Sequence, residues 1–223
     1  MVNEKLPQYH LAPVSGKEER DFMRMWHYSK KTTPNSSVKI GCFQGASLVG
    51  VATFGRIINC VQLFSHTSNR EGLEINRLAM VDEAPKNSES WFLMRSIALI
   101  RKKYPWLKFI ITWADGLRCN GGTIYKACGF SYIRKRPIEG FYRLPNGQDI
   151  HQIAFDKVYL KRYYNLVKNV KGRLEKVQAV FGPDVKELRG GYQYQYLYLL
   201  DKALEKQMIF KPMPYEKNDV EKT

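Results

Sequence analysis

Three residues of this chain combine chemical reactivity with a telling position. Arg77 sits inside the apolar run 73–81, Asp115 follows the apolar run 108–114, and Tyr125 lies near the head of a short helical segment, Gly122-Thr123-Ile124-Tyr125-Lys126-Ala127-Cys128-Gly129-Phe130. Between the runs, Glu83-Ala84-Pro85-Lys86-Asn87-Ser88 turns into a helix. The backbone N–H groups around Lys86, Asn87, Ser88, Glu89 and Ser90 can hold a pyrophosphate, because first-turn donors lack partners within the helix and the helix dipole favours anions. The turn has no pair of glycines to bring backbone close to phosphate; Asn87 and Ser88 stand there instead.

Alternation along the run puts Arg77 on the face of Leu73 and Ile75, with Glu74 and Asn76 opposite. A guanidinium on an apolar face needs a carboxylate or a phosphate, so a structural Arg77–Asp115 pair is the alternative to a ligand-binding role. Tyr125 is either a proton donor or a packing residue. His27 and Tyr28 lie near the C-terminal end of the first helix, where a histidine can simply complement the dipole and a tyrosine can simply fill the core.

These groups must be positioned by ordinary elements. Ser15 with Glu18 signals a helix start, and Phe22, Met25 and Trp26 at helical spacing carry the helix over 17–29 until Pro34 forbids continuation. Runs 38–43 and 48–54 around Gln44-Gly45-Ala46-Ser47 predict a hairpin, and 57–64 a further strand or loop. Leu93, Ile97, Ile100 and Tyr104 predict a helix over 88–103, stopped by Pro105. Residues 108–114 read as a strand covered on both faces, and Thr123 as the cap of a short helix ending at Gly129. Strands are expected over 131–138 and 150–160, a helix over 162–181, a tyrosine-rich strand over 192–199, and a last helix over 201–208, with a loose end from Pro212. Core packing is the favoured reading of the tyrosine stripe over a base-stacking platform. The division expected is 1–160 for the main domain and 161–223 for an extension packed on it.

With 223 residues and 44% apolar content, the chain can bury one sizeable core. Lys and Arg outnumber Asp and Glu by 36 to 21, a net charge of +15. From Arg95 to Arg143, eleven Lys and Arg face only Asp115 and Glu139, so +9 of this lies in the segment holding the motifs. That excess points to a polyanionic partner, with double-stranded DNA ahead of a membrane surface. Lys30, Lys31, Arg118, Lys126, Arg134, Lys135 and Arg136 are the candidate phosphate contacts. Cys42, Cys60, Cys119 and Cys128 form no C-x-x-C pair, and the start of the chain lacks a secretory apolar run; a reducing cytoplasm is the expected compartment. Cys119 reads as a loop residue and Cys128 as a small apolar one. No apolar run approaches the roughly 18 residues that cross a bilayer.

The string I-Y-K-A-C-G-F resembles the segment of GNAT-type acyltransferases whose tyrosine lies near the CoA sulfur as a general acid, a place that falls on Tyr125. Taken with H-Y-S-K-K, L-E-I-N-R-L, D-E-A-P-K-N-S-E-S-W-F and W-A-D-G, in that order over 27–135, the chain resembles the Mom family of phage DNA-modification proteins. Trp113 stands where a tyrosine is common in that family, and Gly116 where proline is often found. The resemblance implies a mixed α/β, GNAT-like fold: a central mixed sheet flanked by helices, here with a Tyr-rich C-terminal extension. It also implies a phage or prophage source, and modification of the exocyclic amine of adenine in DNA to a carbamoylmethyl adduct that blocks restriction. Its functional residues fall on His27, Tyr28, Arg77, Asp115 and Tyr125. Acetyl-CoA and an iron ion are the implied cofactors, with His27, Tyr28, Asp115 and Tyr125 as candidate iron ligands; the oligomeric state is left open, a homodimer included.

Simple acyl transfer cannot make that adduct. Attack on acetyl-CoA bonds nitrogen to the carbonyl carbon, whereas the adduct bonds it to the methylene carbon and carries an amide nitrogen. A redox-capable metal with imidazole and oxygen ligands is one way to activate the methyl carbon. Two rival functions are an acetyl-CoA-dependent N-acetyltransferase of a protein or small amine, and a DNA-binding protein without enzymatic activity. The basic excess argues against small amines, and Asp115 with Tyr125 against a mere binder.

Overall fold

The computed structural model describes residues 7–58, 62–116, 119, 121–188 and 190–215. Cys60, part of the expected strand or loop over 57–64, and Arg118 lie outside them. By contact, the chain divides into two units: 1–135 with 194–223, and 136–193. The boundary expected at residue 160 is thereby displaced, because the tyrosine-rich strand belongs to the main sheet.

In the first unit the elements run β1 (Tyr9–Pro13), α1 (Gly16–Trp26), β2 (Ser36–Gln44), β3 (Ser47–Gly55), β4 (Gly72–Met80), α2 (Ser88–Lys103), β5 (Phe109–Asp115), α3 (Thr123–Ala127) and β6 (Ser131–Pro137). Strand β1 carries no clear alternation and, among the described strands of this unit, is the one the sequence did not announce. Helix α1 has the expected start: Ser15 accepts from the Glu18 backbone N–H, and the Glu18 carboxylate accepts from that of Ser15. Such reciprocal caps satisfy two of the orphan donors at a helix start.

Two faces of the sheet are covered by different helices. Phe22 and Met23 of α1 pack with Val14, Val51 and Ala79. Phe92, Leu93, Ile97 and Ile100 of α2 pack on the other face with Phe54, Leu73, Ile75 and Ile110. Fully burying a side chain such as Phe92 contributes about 1.5–3 kcal/mol. Glu19 of α1 is buried as well, and Lys39 of β2 meets it at 2.6 Å.

The second unit contains β7 (Phe141–Arg143), β8 (Asp149–His151), α4 (Gln152–Phe155), α5 (Tyr164–Val167), α6 (Arg173–Phe181) and β9 (Lys186–Leu188), and β10 (Tyr192–Leu199) then returns to the main sheet. Strands β8-β7-β9 form a small sheet of their own. The strand expected over 150–160 is only three residues long, since His151 caps a helix and a wider π-helical turn follows over Asp156–Leu160. The single helix expected over 162–181 is two, because Gly172 interrupts it and starts α6.

The main sheet has the order β1-β2-β3-β4-β5-β10-β6. Insertion of β10 between β5 and β6 buries Gln195, Tyr196 and Leu197. Tyr196 packs on Tyr125 and Tyr132 at 5.6 and 5.7 Å, and Tyr194 and Tyr198 pack partly buried against the same core, whereas Tyr192 at the start of the stripe is exposed. The last helix is a 3-10 turn, Lys202–Gln207, capped by Asp201. Residues 212–215 are tied down: Met213 bridges to Tyr132, and the Tyr215 hydroxyl donates to the Phe130 carbonyl. Among the described residues no helix is long and apolar enough to cross a membrane.

Candidate functional site

Strands β4 and β5 are parallel neighbours only from Gly72↔Phe109 to Ile75↔Thr112. Beyond those pairs β4 continues to Met80 and β5 to Asp115 without pairing. The two strand ends therefore splay, and a cleft of about 510 Å³ opens between them, lined among others by His27, Tyr28, Arg77, Trp113, Cys119 and Tyr125. Four of the five residues expected to be catalytic meet in this one cavity. Asp115 is not in its wall, yet its charge reaches the phenol of Tyr28 and the thiol of Cys119.

Arg77 reaches the cleft because β4 is irregular. Thr53 pairs with Arg77 but the next residue, Phe54, pairs with Ile75, which leaves Asn76 as a bulge. A bulge residue shifts the side-chain phase. Leu73 and Ile75 face α2, whereas Ala79 packs on the α1 face, and Arg77 is in phase with Ala79. The expectation that Arg77 shares the face of Leu73 and Ile75 is thus corrected. Its guanidinium donates to the carbonyls of Lys31 at 3.0 Å and Asn76 at 2.6 Å. These contacts take the place of the alternative carboxylate partner, Asp115.

His27 ends α1 and is only 5% exposed. Its Nδ1 accepts the Ser29 backbone N–H at 3.0 Å, with the Ser29 hydroxyl 2.8 Å away. Burial, then the charges of Arg77 and Lys30, hold its pKa down to about 3, so the ring is neutral. A nitrogen that accepts an N–H carries no proton, so the proton sits on Nε2. The Tyr28 ring lies 4.3 Å from the imidazole, and its phenol is hydrogen-bonded to Cys119. Burial foremost raises the Tyr28 pKa well above that of a free phenol.

Tyr125 is held from three sides. Its ring packs on Phe130 and Tyr196, and its hydroxyl is hydrogen-bonded to Thr112 of β5. Burial pushes its pKa up to about 12, so it is a protonated donor at neutral pH. Helix α3 is capped not by Thr123 but by Gly122, whose backbone is left-handed at φ 82°. A Cβ there would meet the Tyr196 ring at 2.5 Å, so only glycine lets α3 start this close to β10.

A second cavity, of about 410 Å³, runs along the start of α2, lined by Lys86, Asn87, Ser88, Glu89 and Ser90 together with residues of β4 and α3. Asn87 has the left-handed φ of 71° and no side chain caps this helix. The Ser88 amide donates to the Pro85 carbonyl at 3.0 Å, which leaves the first-turn amides of Glu89 and Ser90 for a ligand. The groove and the cleft share Met80, Asp82, Glu89, Thr123 and Ile124. Glu89 stands at that junction, and the desolvation it meets there raises its carboxyl pKa.

Of the donors offered as iron ligands, His27 has one nitrogen engaged by Ser29 and a proton on the other, and Asp115 stands outside the cleft wall that holds the rest. Among the described residues no group of three His, Cys, Asp or Glu could hold a metal. No step below is routed through one.

Several of the expected phosphate contacts are engaged within the chain. The Lys30 ammonium donates to the Met25 carbonyl, Lys126 lies over the Tyr215 ring, and Arg134 donates to Gln195 at 2.8 Å while lying over Trp113. Arg136 donates to Gln193, whereas Lys31 and Lys135 are exposed. Arg118 lies outside the described residues. Cys119 and Glu89 are the cleft residues whose part the sequence understated. Only the W-A-D-G string ending three residues before it marked the loop of Cys119, and Glu89 was visible only as part of the turn.

A mixed sheet with splayed central strands, an uncapped helix start at the splay and a tyrosine behind it define the GNAT class of fold. Arabidopsis thaliana NAA60, solved in complex with acetyl-CoA, shares it at TM-score 0.51 and 12% identity, covering 86% of this chain and 98% of that one. A Bacillus subtilis acetyltransferase in complex with CoA matches at TM-score 0.49 and 13% identity, covering 88% and 99%. Within this class the chain belongs to the Mom protein family, whose profile matches residues 8–217. It is 30% identical over 204 residues to the methylcarbamoylase mom of Escherichia phage Mu, covering 89% of this chain and 79% of that protein.

Proposed function

We propose that this chain is a transferase that places a carbamoylmethyl group on the exocyclic amine of adenine in double-stranded DNA, so protecting the DNA of a phage from restriction. The observation that carries the reading is the junction of groove and cleft at Glu89, Thr123 and Ile124, in a member of the Mom family. One cavity suits a nucleotide pyrophosphate and the other a flipped base. An adenine amine in a duplex is paired and stacked, so the base must leave the helix to react.

Acetyl-CoA, when bound, supplies an activated two-carbon acyl group. The α2 amides of Glu89 and Ser90 hold its pyrophosphate, and Tyr125, kept protonated by burial, donates a proton toward the departing sulfur. Arg77 provides fixed positive charge, since both its carbonyl contacts leave further N–H groups for a ligand. Asp115, outside the cleft wall, acts by its charge on the phenol of Tyr28 and the thiol of Cys119 that line it. His27 presents its Nε2–H as a hydrogen-bond donor. The acyl group contains no nitrogen and its methyl carbon bears only C–H bonds, so the adduct also requires a nitrogen-bearing reactant that displaces the thiol and a two-electron oxidant that accepts the electrons of the C–H bond replaced by C–N.

Mass analysis of nucleosides from DNA of cells expressing the protein tests the reading. Deoxyadenosine heavier by a carbamoylmethyl group is the expected product. An acetyl increment would favour plain N-acetyl transfer, and unmodified DNA that the protein still binds would favour the non-enzymatic rival.

A further inference from the structure

The second unit carries its own basic surface. From Lys157 to Leu174 the chain has six Lys and Arg and neither Asp nor Glu. This stretch continues the helical path of α4 through the π-helical turn to α5. One side of it is core: Phe155, Tyr159, Tyr163 and Val167 follow at intervals of four, Phe155 and Val167 are buried, and successive rings stack at 6.1 and 6.3 Å. The opposite side presents Lys157, Lys161, Tyr164 and Lys168, again at helical spacing, with Arg162 beside Tyr163.

Two arginines of the unit are neutralised. Arg143 is paired with Asp149 at 2.9 Å, and Arg173 with Asp156. Lys157, Lys161 and Lys168 are exposed and make no ion pair among the described residues. Tyr164 is 60% exposed among them. An amphipathic helix that lies on a membrane needs a continuous apolar face free. Here the Phe155–Tyr159–Tyr163–Val167 face is spent on the unit's own core, and the exposed Ile153, Val158 and Leu166 are not on adjacent turns of one stripe. Unpaired cations about one helical turn apart, with an exposed tyrosine between them, suit the phosphates of a polynucleotide instead.

We propose that unit 136–193 is a grip for duplex DNA, in which Lys157, Lys161, Arg162 and Lys168 contact phosphates. The inference rests on DNA being the substrate, as proposed above, and places its grip outside the basic segment of the main sheet. Binding is sequence-independent and weakens as salt rises, because each phosphate contact releases a counterion.

The test uses the full chain, a labelled duplex and a salt series, with the variant K157Q/K161Q/K168Q. The slope of log affinity against log salt is expected to fall by about three units. Its thermal midpoint should match the wild type, since all three side chains are exposed, and R143Q should change the slope little because Asp149 already neutralises Arg143. An unchanged slope and affinity in the triple variant overturns the inference. Wild-type binding to phosphatidylserine vesicles but not to the duplex also overturns it, in favour of a membrane surface. Modified adenine from the wild type together with an unchanged slope in the triple variant removes the grip and keeps the reaction. A changed slope in a protein that makes no modified adenine does the reverse.

Discussion

Arg77 stands opposite Thr53 across the β3–β4 ladder, one step out of phase with Ile75 opposite Phe54. That single slip, absorbed by Asn76, turns a guanidinium away from the α2 core and into the cleft where His27, Tyr28 and Tyr125 meet. Strand splay and strand bulge together build the site.

Tyr125→Phe keeps the ring contacts with Phe130 and Tyr196 and loses only the hydroxyl bonded to Thr112. Modified adenine should disappear while stability changes by about 1 kcal/mol or less, the usual worth of one hydrogen bond. Asp115→Asn should behave likewise. Nucleoside mass analysis and thermal unfolding of the purified variants check both, and full modification by the two proteins would mean the active site lies elsewhere.

His27 gives an acid limb to stability. Its folded pKa of about 3 lies below the ordinary histidine value, so between the two the unfolded chain binds the extra proton. The stabilisation is complete above about pH 6.5 and is lost as pH falls toward 3, with a slope approaching about 1.4 kcal/mol per pH unit. Denaturant titrations at successive pH values should show that His27→Gln flattens this limb. An identical limb in the variant would assign it to other groups.

Gly122→Ala places a methyl against the Tyr196 ring at a left-handed backbone position. The strain should cost about 1–3 kcal/mol and displace α3, reducing modification along with stability. By contrast Gly129→Ala, also left-handed but with open space around it, should lose only stability. Comparing unfolding midpoints and modification levels of the pair separates crowding at the site from backbone strain alone.

Acetyl-CoA or CoA should raise the unfolding midpoint of the wild type by mass action, by about 2.7 kcal/mol of stability at one hundred times the dissociation constant. Glu89→Pro, within the first helical turn, would remove a backbone N–H that has no partner among the described residues, and should reduce that shift. A calorimetric scan with no CoA shift in the wild type would point to a donor of another kind.

Lys39→Met removes the partner of Glu19, whose side chain is only 3% exposed. Leaving a buried carboxylate without its cation should cost about 3–5 kcal/mol. Replacing both, Glu19→Gln with Lys39→Met, should restore part of the loss in denaturant titrations.

Much of the frame was legible because it is written in local patterns. The Ser15–Glu18 box, the periodicity of α2 and the apolar run of β5 each depend on residues a few positions apart. The short motifs that carry the family likeness are local as well, so His27, Tyr28, Arg77 and Tyr125 could be named before any of them was placed. Other features were hidden where a local signal was ambiguous. An alternating stretch at 150–160 folds as helix because His151 caps it and Phe155 and Tyr159 join the core of their unit. Leu73, Ile75 and Arg77 alternate in sequence, and no pattern within β4 shows that Asn76 will be extruded.

What the sequence determined by itself is therefore the helices of the first unit, the strands of the hairpin and centre, the candidate site residues and the family. Tertiary structure decided which face Arg77 uses, that β10 enters the sheet between β5 and β6, and that Cys119 meets Tyr28 in the cleft. The reason is physical: helix caps and periodicity are set by neighbours along the chain. Strand order, a bulge and a splay are set by which distant segments compete for the same hydrogen bonds and the same buried volume.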